Sequence, residues 1–113
     1  MIETEESIRN IDEIAGIEGV EVLLVGSNDL AIELGVPGQF QSPQFRSALE
    51  AVSKACARHH KIFGLAGIYE NTEIHNWAIN TLGARFILGQ QDSGILARAG
   101  KEVADALSRI GRS

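Results

Sequence analysis

The sequence predicts an α/β fold, a parallel sheet with helices packed outside it, and three observations carry that prediction. Short β-rich apolar runs stand at 20–25, 62–66 and 84–88, each too brief for a helix and each bounded by glycine. Between and after them, apolar residues recur at helical spacing. Strand and helix signals alternate along the chain, the arrangement that builds a parallel sheet. No linker or low-complexity segment divides the 113 residues, so 1–113 reads as one domain. The intervals between strands are uneven, which argues against a solenoid.

Met1 and Ile2 read as a strand stub ending at Glu3. A strand usually needs about five residues, so the chain is expected to begin inside an element, as the later part of something longer. Thr4 is suited to cap a helix whose first turn holds Glu5 and Glu6, where carboxylates favour the helix dipole. Ile8, Ile11, Ile14 and Ala15 give that helix its apolar face, and Gly16 and Gly19 end the region. Residues 20–25 form the first complete strand. It is apolar nearly throughout, as expected of a parallel strand covered on both faces. Asp29 follows the Gly26-Ser27-Asn28 turn, and a short helix is predicted at 30–34, stopped by Gly35, Pro37 and Gly38.

Ser42-Pro43 starts the next helix, with a capping serine and a proline at the first helical position. Phe45, Leu49, Val52 and Cys56 form its buried stripe, flanked by Ala48 and Ala55. His59, His60 and Lys61 close it with residues that suit the carbonyl end. The strand at 62–66 is followed by Gly67, and Asn71 or Thr72 caps a helix that buries Ile74, Trp77, Ala78 and Leu82. Gly83 stops it. The strand at 84–88 leads into a polar loop, 89–94, in which Asp92 or Ser93 caps the last helix. That helix is expected over 95–110, burying Leu96, Ala99, Val103, Ala106, Leu107 and Ile110.

A net charge of −5 and the lack of a basic run exclude a nucleic-acid surface that depends on phosphate contacts. No run is apolar and long enough to span a membrane. Cys56, the single cysteine, cannot form an internal disulfide and lies on a predicted apolar helix face, where a buried, inert thiol is expected. The first residues are acidic and lack the pattern of a secretion signal, so a cytoplasmic location is expected.

Ligands collect at the carboxyl ends of strands in α/β folds. Glu3 and Asp29 stand at two such ends. A pair of carboxylates there suits a hard divalent cation, Mg²⁺ or Mn²⁺, with water and substrate oxygens completing the shell. Acids in these places also serve as helix caps or solvated loop residues, and the pair alone does not choose between the readings. His59 and His60 are adjacent at a helix end and point apart. His75 reads as a surface helix position, and none of the three has a metal-ligand spacing. Gly64, Gly67 and residues 89–92 are either tight turns or an anion subsite, while Tyr69 and Glu70 are candidates for the mouth of the site. Trp77 is core or interface.

Met1-Ile-Glu-Thr, Asn10-Ile-Asp-Glu-Ile, Gly19-Val-Glu and Val25-Gly-Ser-Asn-Asp-Leu together resemble the C-terminal half of the HpcH/HpaI aldolase family, metal-dependent aldolases related to the citrate lyase β-subunit. The resemblance continues through Gly35, Ser42-Pro43, Gly64, Leu82-Gly83-Ala84-Arg85-Phe86 and Leu96-Ala97-Arg98-Ala99, and covers essentially the whole chain in order. It implies the C-terminal half of a TIM (β/α)₈ barrel, from the end of the fifth strand through the eighth helix. Glu3 and Asp29 match the family's metal ligands. Gly26, Ser27 and Asn28 match the turn whose backbone amides hold the carboxylate of a 2-oxo acid such as pyruvate. The metal, Mg²⁺, Mn²⁺ or another divalent ion, would chelate the oxo acid and stabilise its enolate during cleavage or formation of a 4-hydroxy-2-oxo acid, with an aldehyde as the other reactant.

Three departures from the pattern bear on the site. Ser27 stands where the family usually has proline, Ala31 where it has serine, and Met1 where it often has glutamine. The family's arginine and histidine for the oxo group and for proton transfer belong to the first half of the barrel, so no acid–base residue is assignable in this stretch. The expectation is therefore an aldolase at family level, with a second possibility: a catalytically incomplete barrel fragment that keeps the fold and the metal or oxo-acid pocket. A half-barrel exposes sheet edges and an apolar inner face, so a homo-oligomer or pairing with a complementary half is expected.

Overall fold

Three parallel strands and six helices alternate along the chain in this computed structural model, which describes residues 1–110. Thr4 makes the predicted cap, its hydroxyl accepting from Ser7 N at 3.1 Å while Ser7 Oγ accepts from Thr4 N. The helix it starts is two short ones, α1 (Glu5–Arg9) and α2 (Ile11–Ala15), broken at Asn10 with φ −99° and ψ 19°. Asparagine is a weak helix former whose side chain competes for backbone groups, which suits it to this joint. Ile11 and Ala15 are buried, as the spacing required.

The first strand, β1 (Val22–Gly26), starts two residues later than the apolar run. The turn before it holds Val20, whose N–H bonds the Ile17 carbonyl. Beside β1 lies the stub: Ile2 bridges Val25 in parallel, donating to the Leu24 carbonyl at 2.7 Å and accepting from Gly26 N at 3.0 Å. Helix α3 (Ser27–Glu33) begins three residues earlier than predicted, so Asp29 lies in its first turn rather than ahead of it.

Helix α4 (Pro43–His59) follows the sequence reading closely. Ser42 Oγ accepts from Phe45 N, and Phe45, Ala48, Leu49, Val52, Ala55 and Cys56 are buried. Burial pushes the Cys56 thiol pKa up, which keeps it protonated. The next strand, β2 (Ile62–Ala66), pairs with β1 in parallel along its whole length, Val22 opposite Ile62 and Gly26 opposite Ala66. Asn71 caps α5 (Thr72–Asn80), its Oδ1 accepting from Ile74 N. The Arg46 guanidinium stacks 4.3 Å over the half-buried Trp77 ring and joins α4 to α5.

The last strand, β3 (Phe86–Ile87), is only two residues long. It matches Gly64 and Leu65 of β2 and has no strand beyond it among the described residues. Helix α6 (Asp92–Ser108) starts at Asp92, ahead of the predicted 95, and buries no residue. This overturns the expected apolar face. Leu96 is 71% exposed, Val103 60%, Leu107 63% and Ile110 68%; Ala99 and Ala106 are exposed as well. The helix follows a strand too short to support it and projects away, so the molecule reaches 67 Å along its longest axis. Its radius of gyration is 17.5 Å, against about 13 Å for a compact domain of similar length.

The core lies between α4 and the sheet. Leu23, Val25, Phe63 and Leu65 share the face beneath the helices and are all but inaccessible. The opposite face, which carries Val22, Phe86 and Leu88, is partly open. The expectation that β1 is covered on both sides thus holds for one side only. Among the described residues, no helix is long and apolar enough to cross a membrane.

Candidate functional site

The carboxyl ends of the stub, β1 and β2 converge on a cavity of ≈ 200 Å³. Glu3 arrives from the stub. Gly26, Ser27, Asn28 and Asp29 come from the junction of β1 with α3, Ala66, Gly67 and Tyr69 from the end of β2, and Leu88 from beyond β3. All five residues singled out from the sequence therefore line one space. Glu3 and Asp29, far apart in the chain, are brought together because Ile2 pairs with Val25, which sets the two strand ends side by side.

Gly26 explains how Glu3 fits. A Cβ at that position would lie 2.8 Å from Glu3 Cγ, 2.8 Å from Met1 Sδ and 2.9 Å from Glu3 Oε1. The Glu3 carboxylate thus rests over the glycine backbone, and any larger residue would displace it. Glu3 is half-buried, whereas Asp29 is exposed in the first turn of α3, where its charge also favours the helix dipole.

The turn has a second tie. Asn28 Nδ2 donates to the Gly67 carbonyl at 3.0 Å, so its side chain locks the end of β2 against the start of α3. Gly67 has φ +91°, and a Cβ there would press on Asn28 Nδ2 at 3.2 Å and on Ser27 N at 3.4 Å. Only glycine permits this approach without strain. Ser27 is fully buried, and its hydroxyl has no hydrogen-bond partner among the described residues.

His75 corrects the sequence reading. It is half-buried, and its Nε2 lies 2.8 Å from the Ile68 carbonyl, so it anchors the loop behind the cavity rather than facing solvent. His59 lies 3.6 Å from Asp12, on the helix pair away from the cavity. Residues 89–92 do not reach the cavity, although neighbouring Leu88 does. Leu88 and Ala66 were not anticipated as lining residues; their only signal was a place at or just beyond a strand end.

The donor set is two carboxylates with peptide groups around them, without imidazole or thiolate in the lining. Among the described residues no cluster of three or more His, Cys, Asp or Glu is present. Such a set fits a hard cation that keeps water and substrate oxygens in its shell, and does not fit a closed zinc site.

Comparisons with known proteins bear on the family and the fold. The sequence profile described as HpcH/HpaI aldolase/citrate lyase matches residues 1–87. A 4-hydroxy-4-methyl-2-oxoglutarate aldolase of Chaetomium globosum is 55% identical over 113 residues, all of this chain and 42% of that protein. A 5-keto-4-deoxy-D-glucarate aldolase of Escherichia coli is 31% identical, covering 96% of this chain and 41% of its own length. The crystal structure of an HpcH/HpaI aldolase from Desulfitobacterium hafniense superimposes with a TM-score of 0.86 at 24% identity, over 97% of this chain and 42% of that one. The chain thus spans about two-fifths of the relatives it matches, and its fold is the corresponding part of a (β/α)₈ barrel.

Proposed function

Because this chain belongs to the HpcH/HpaI aldolase/citrate lyase family, we propose that it supplies the metal- and oxo-acid-binding portion of an aldolase acting on 4-hydroxy-2-oxo acids, spanning the end of the fifth barrel strand to the eighth helix. One observation carries this reading: Glu3 and Asp29 line the same cavity as the Gly26-Ser27-Asn28 turn. Glu3 and Asp29 would hold Mg²⁺, Mn²⁺ or a similar divalent ion, for which two hard carboxylates are a sufficient protein contribution. Bound there, the ion would supply the Lewis-acid charge that polarises the oxo group of pyruvate and favours its enolate.

The chain's own residues have separable tasks. Gly26 leaves the Glu3 carboxylate its seat. The backbone amides of the turn would orient the oxo-acid carboxylate, and the Asn28 side chain fixes that turn against β2. Asp29 lies in the first turn of α3, so the helix backbone sets it at the rim of the cavity.

A second reading has its own support. Among the described residues neither His, Lys nor Arg lines the cavity, so the arginine and histidine that the family resemblance assigns to the oxo group and to proton transfer have no counterpart there. A chain acting alone would then be a catalytically incomplete barrel fragment that binds metal and oxo acid without turnover. The open sheet face with Val22, Phe86 and Leu88, and the bare stripe of α6, support pairing with further copies or with a complementary half-barrel. A reducing cytoplasm suits the free, buried Cys56.

Calorimetric titration with Mn²⁺ tests the assignment. Asp29→Ala is expected to abolish binding with little loss of fold, since Asp29 is exposed and makes no ion pair among the described residues. Binding equal to that of the parent would remove Asp29 from the site. Release of pyruvate from a 4-hydroxy-2-oxo acid by the parent chain would separate the aldolase from the binding fragment.

A further inference from the structure

The segment 67–70, between β2 and the Asn71 cap of α5, is tied to side chains outside it. Three side chains from three different helices fasten it. Asn28 of α3 donates to the Gly67 carbonyl at 3.0 Å, His75 of α5 bonds the Ile68 carbonyl at 2.8 Å, and Arg98 of α6 pairs with Glu70 at 2.5 Å. Two of its four residues have positive φ, Gly67 at +91° and Glu70 at +54°. A left-handed glutamate is uncommon and persists only where its surroundings hold it there. Ile68 is buried in the core at 3% exposure, while the next residue, Tyr69, lines the cavity. The fastenings therefore hold the backbone on either side of Tyr69, whose side chain lines the site.

Tyr69 differs in kind from the rest of the lining. Glu3 and Asp29 are acids, Gly26, Asn28 and Gly67 present peptide or amide groups, and Tyr69 brings the only aromatic ring there among the described residues. With Leu88 it forms an amphipathic surface, a ring face with a phenol hydroxyl that can donate or accept. Metal and carboxylate recognition need no such surface. The carbons of a larger oxo acid, beyond the three of pyruvate, do.

We propose that Tyr69, carried on a loop whose backbone Asn28 and His75 hold, is a specificity-determining residue that contacts the part of a 2-oxo acid remote from its 2-oxo-carboxylate end. This rests on the oxo-acid reading of the site given above. Loops carried on a rigid scaffold are where such selectivity usually resides, and an aromatic side chain, with two rotatable angles, contacts ligand at low cost in conformational freedom.

The test is titration of the Mn²⁺-loaded chain with pyruvate and with 2-oxoglutarate. Tyr69→Ala is expected to leave the Mn²⁺ and pyruvate affinities unchanged and to weaken 2-oxoglutarate by about tenfold, the scale of one lost side-chain contact. Tyr69→Phe should recover most of that loss. His75→Ala, which frees the loop without touching the cavity, should reproduce the selective loss even if Tyr69→Ala folds poorly. Equal weakening of both oxo acids, or no change in either, overturns the proposal. A parent chain that binds neither Mn²⁺ nor pyruvate overturns the oxo-acid reading itself, a result distinct from intact parent binding that ignores Tyr69.

Discussion

Helices α4 and α6 are each 17 residues long, and each carries an apolar stripe at helical spacing. In α4 that stripe is inaccessible, with Phe45, Leu49, Val52 and Ala55 at 0% exposure. In α6 every residue is accessible, and Leu96, Val103 and Leu107 are at least 60% exposed. The difference lies beneath the helices. Helix α4 sits over two strands paired along their full length, whereas α6 follows a two-residue strand with one neighbour. An amphipathic pattern states which face needs a partner; it does not state whether the partner lies in the same stretch of chain.

The sharpest way to break this comparison is to truncate one large residue in α4. Phe45 is fully buried, with its ring edge-to-face against Phe40 at 5.2 Å. Phe45→Ala should destabilise the fold by about 3–5 kcal/mol, the usual cost of an emptied aromatic site. Urea denaturation followed by circular dichroism reads this directly. A cost below about 1 kcal/mol, the range of surface changes, would mean that the core is not where the burial pattern puts it.

Helix starts offer a smaller contrast. Ser42 caps α4 by accepting from Phe45 N at 3.3 Å, while Gln91, the residue before α6, makes no capping bond with its side chain. Ser42→Ala should cost about 1 kcal/mol, and Gln91→Ala close to nothing. Equal losses in the denaturation midpoint would show that the cap geometry at Ser42 does not set the stability of α4.

Legibility in the sequence follows the same division. The stripe of α4, the extent of β2 and the capping roles of Thr4 and Ser42 were readable because local chemistry alone dictates them, and the cap of α5 was narrowed to Asn71 or Thr72, of which Asn71 makes it. The convergence of Glu3, Asp29 and the Gly26-Ser27-Asn28 turn on one cavity was readable through strand ends and family resemblance. The break at Asn10 was not, because the apolar repeat runs through it undisturbed. The anchoring role of His75 depends on the loop carbonyl it meets, which spacing cannot supply. The exposure of α6 was least accessible of all, since a helix that lacks a partner and one that has found it share the same repeat.

The smallest expected effect concerns that exposed stripe. Val103→Ser and Leu107→Ser together remove apolar surface that, in the isolated chain, already faces water. At low protein concentration the pair should shift unfolding by no more than about 0.5 kcal/mol each, as for other exposed positions. Pairing through α6 would appear elsewhere, in size-exclusion chromatography with light scattering at higher concentration, as a loss of association in the double variant. The two measurements separate the alternatives because burial against another molecule depends on concentration and burial within one does not. Should the double variant lose several kcal/mol even when dilute, α6 must fold back onto its own sheet in solution. The contrast between the two helices would then belong to one conformation rather than to the chain.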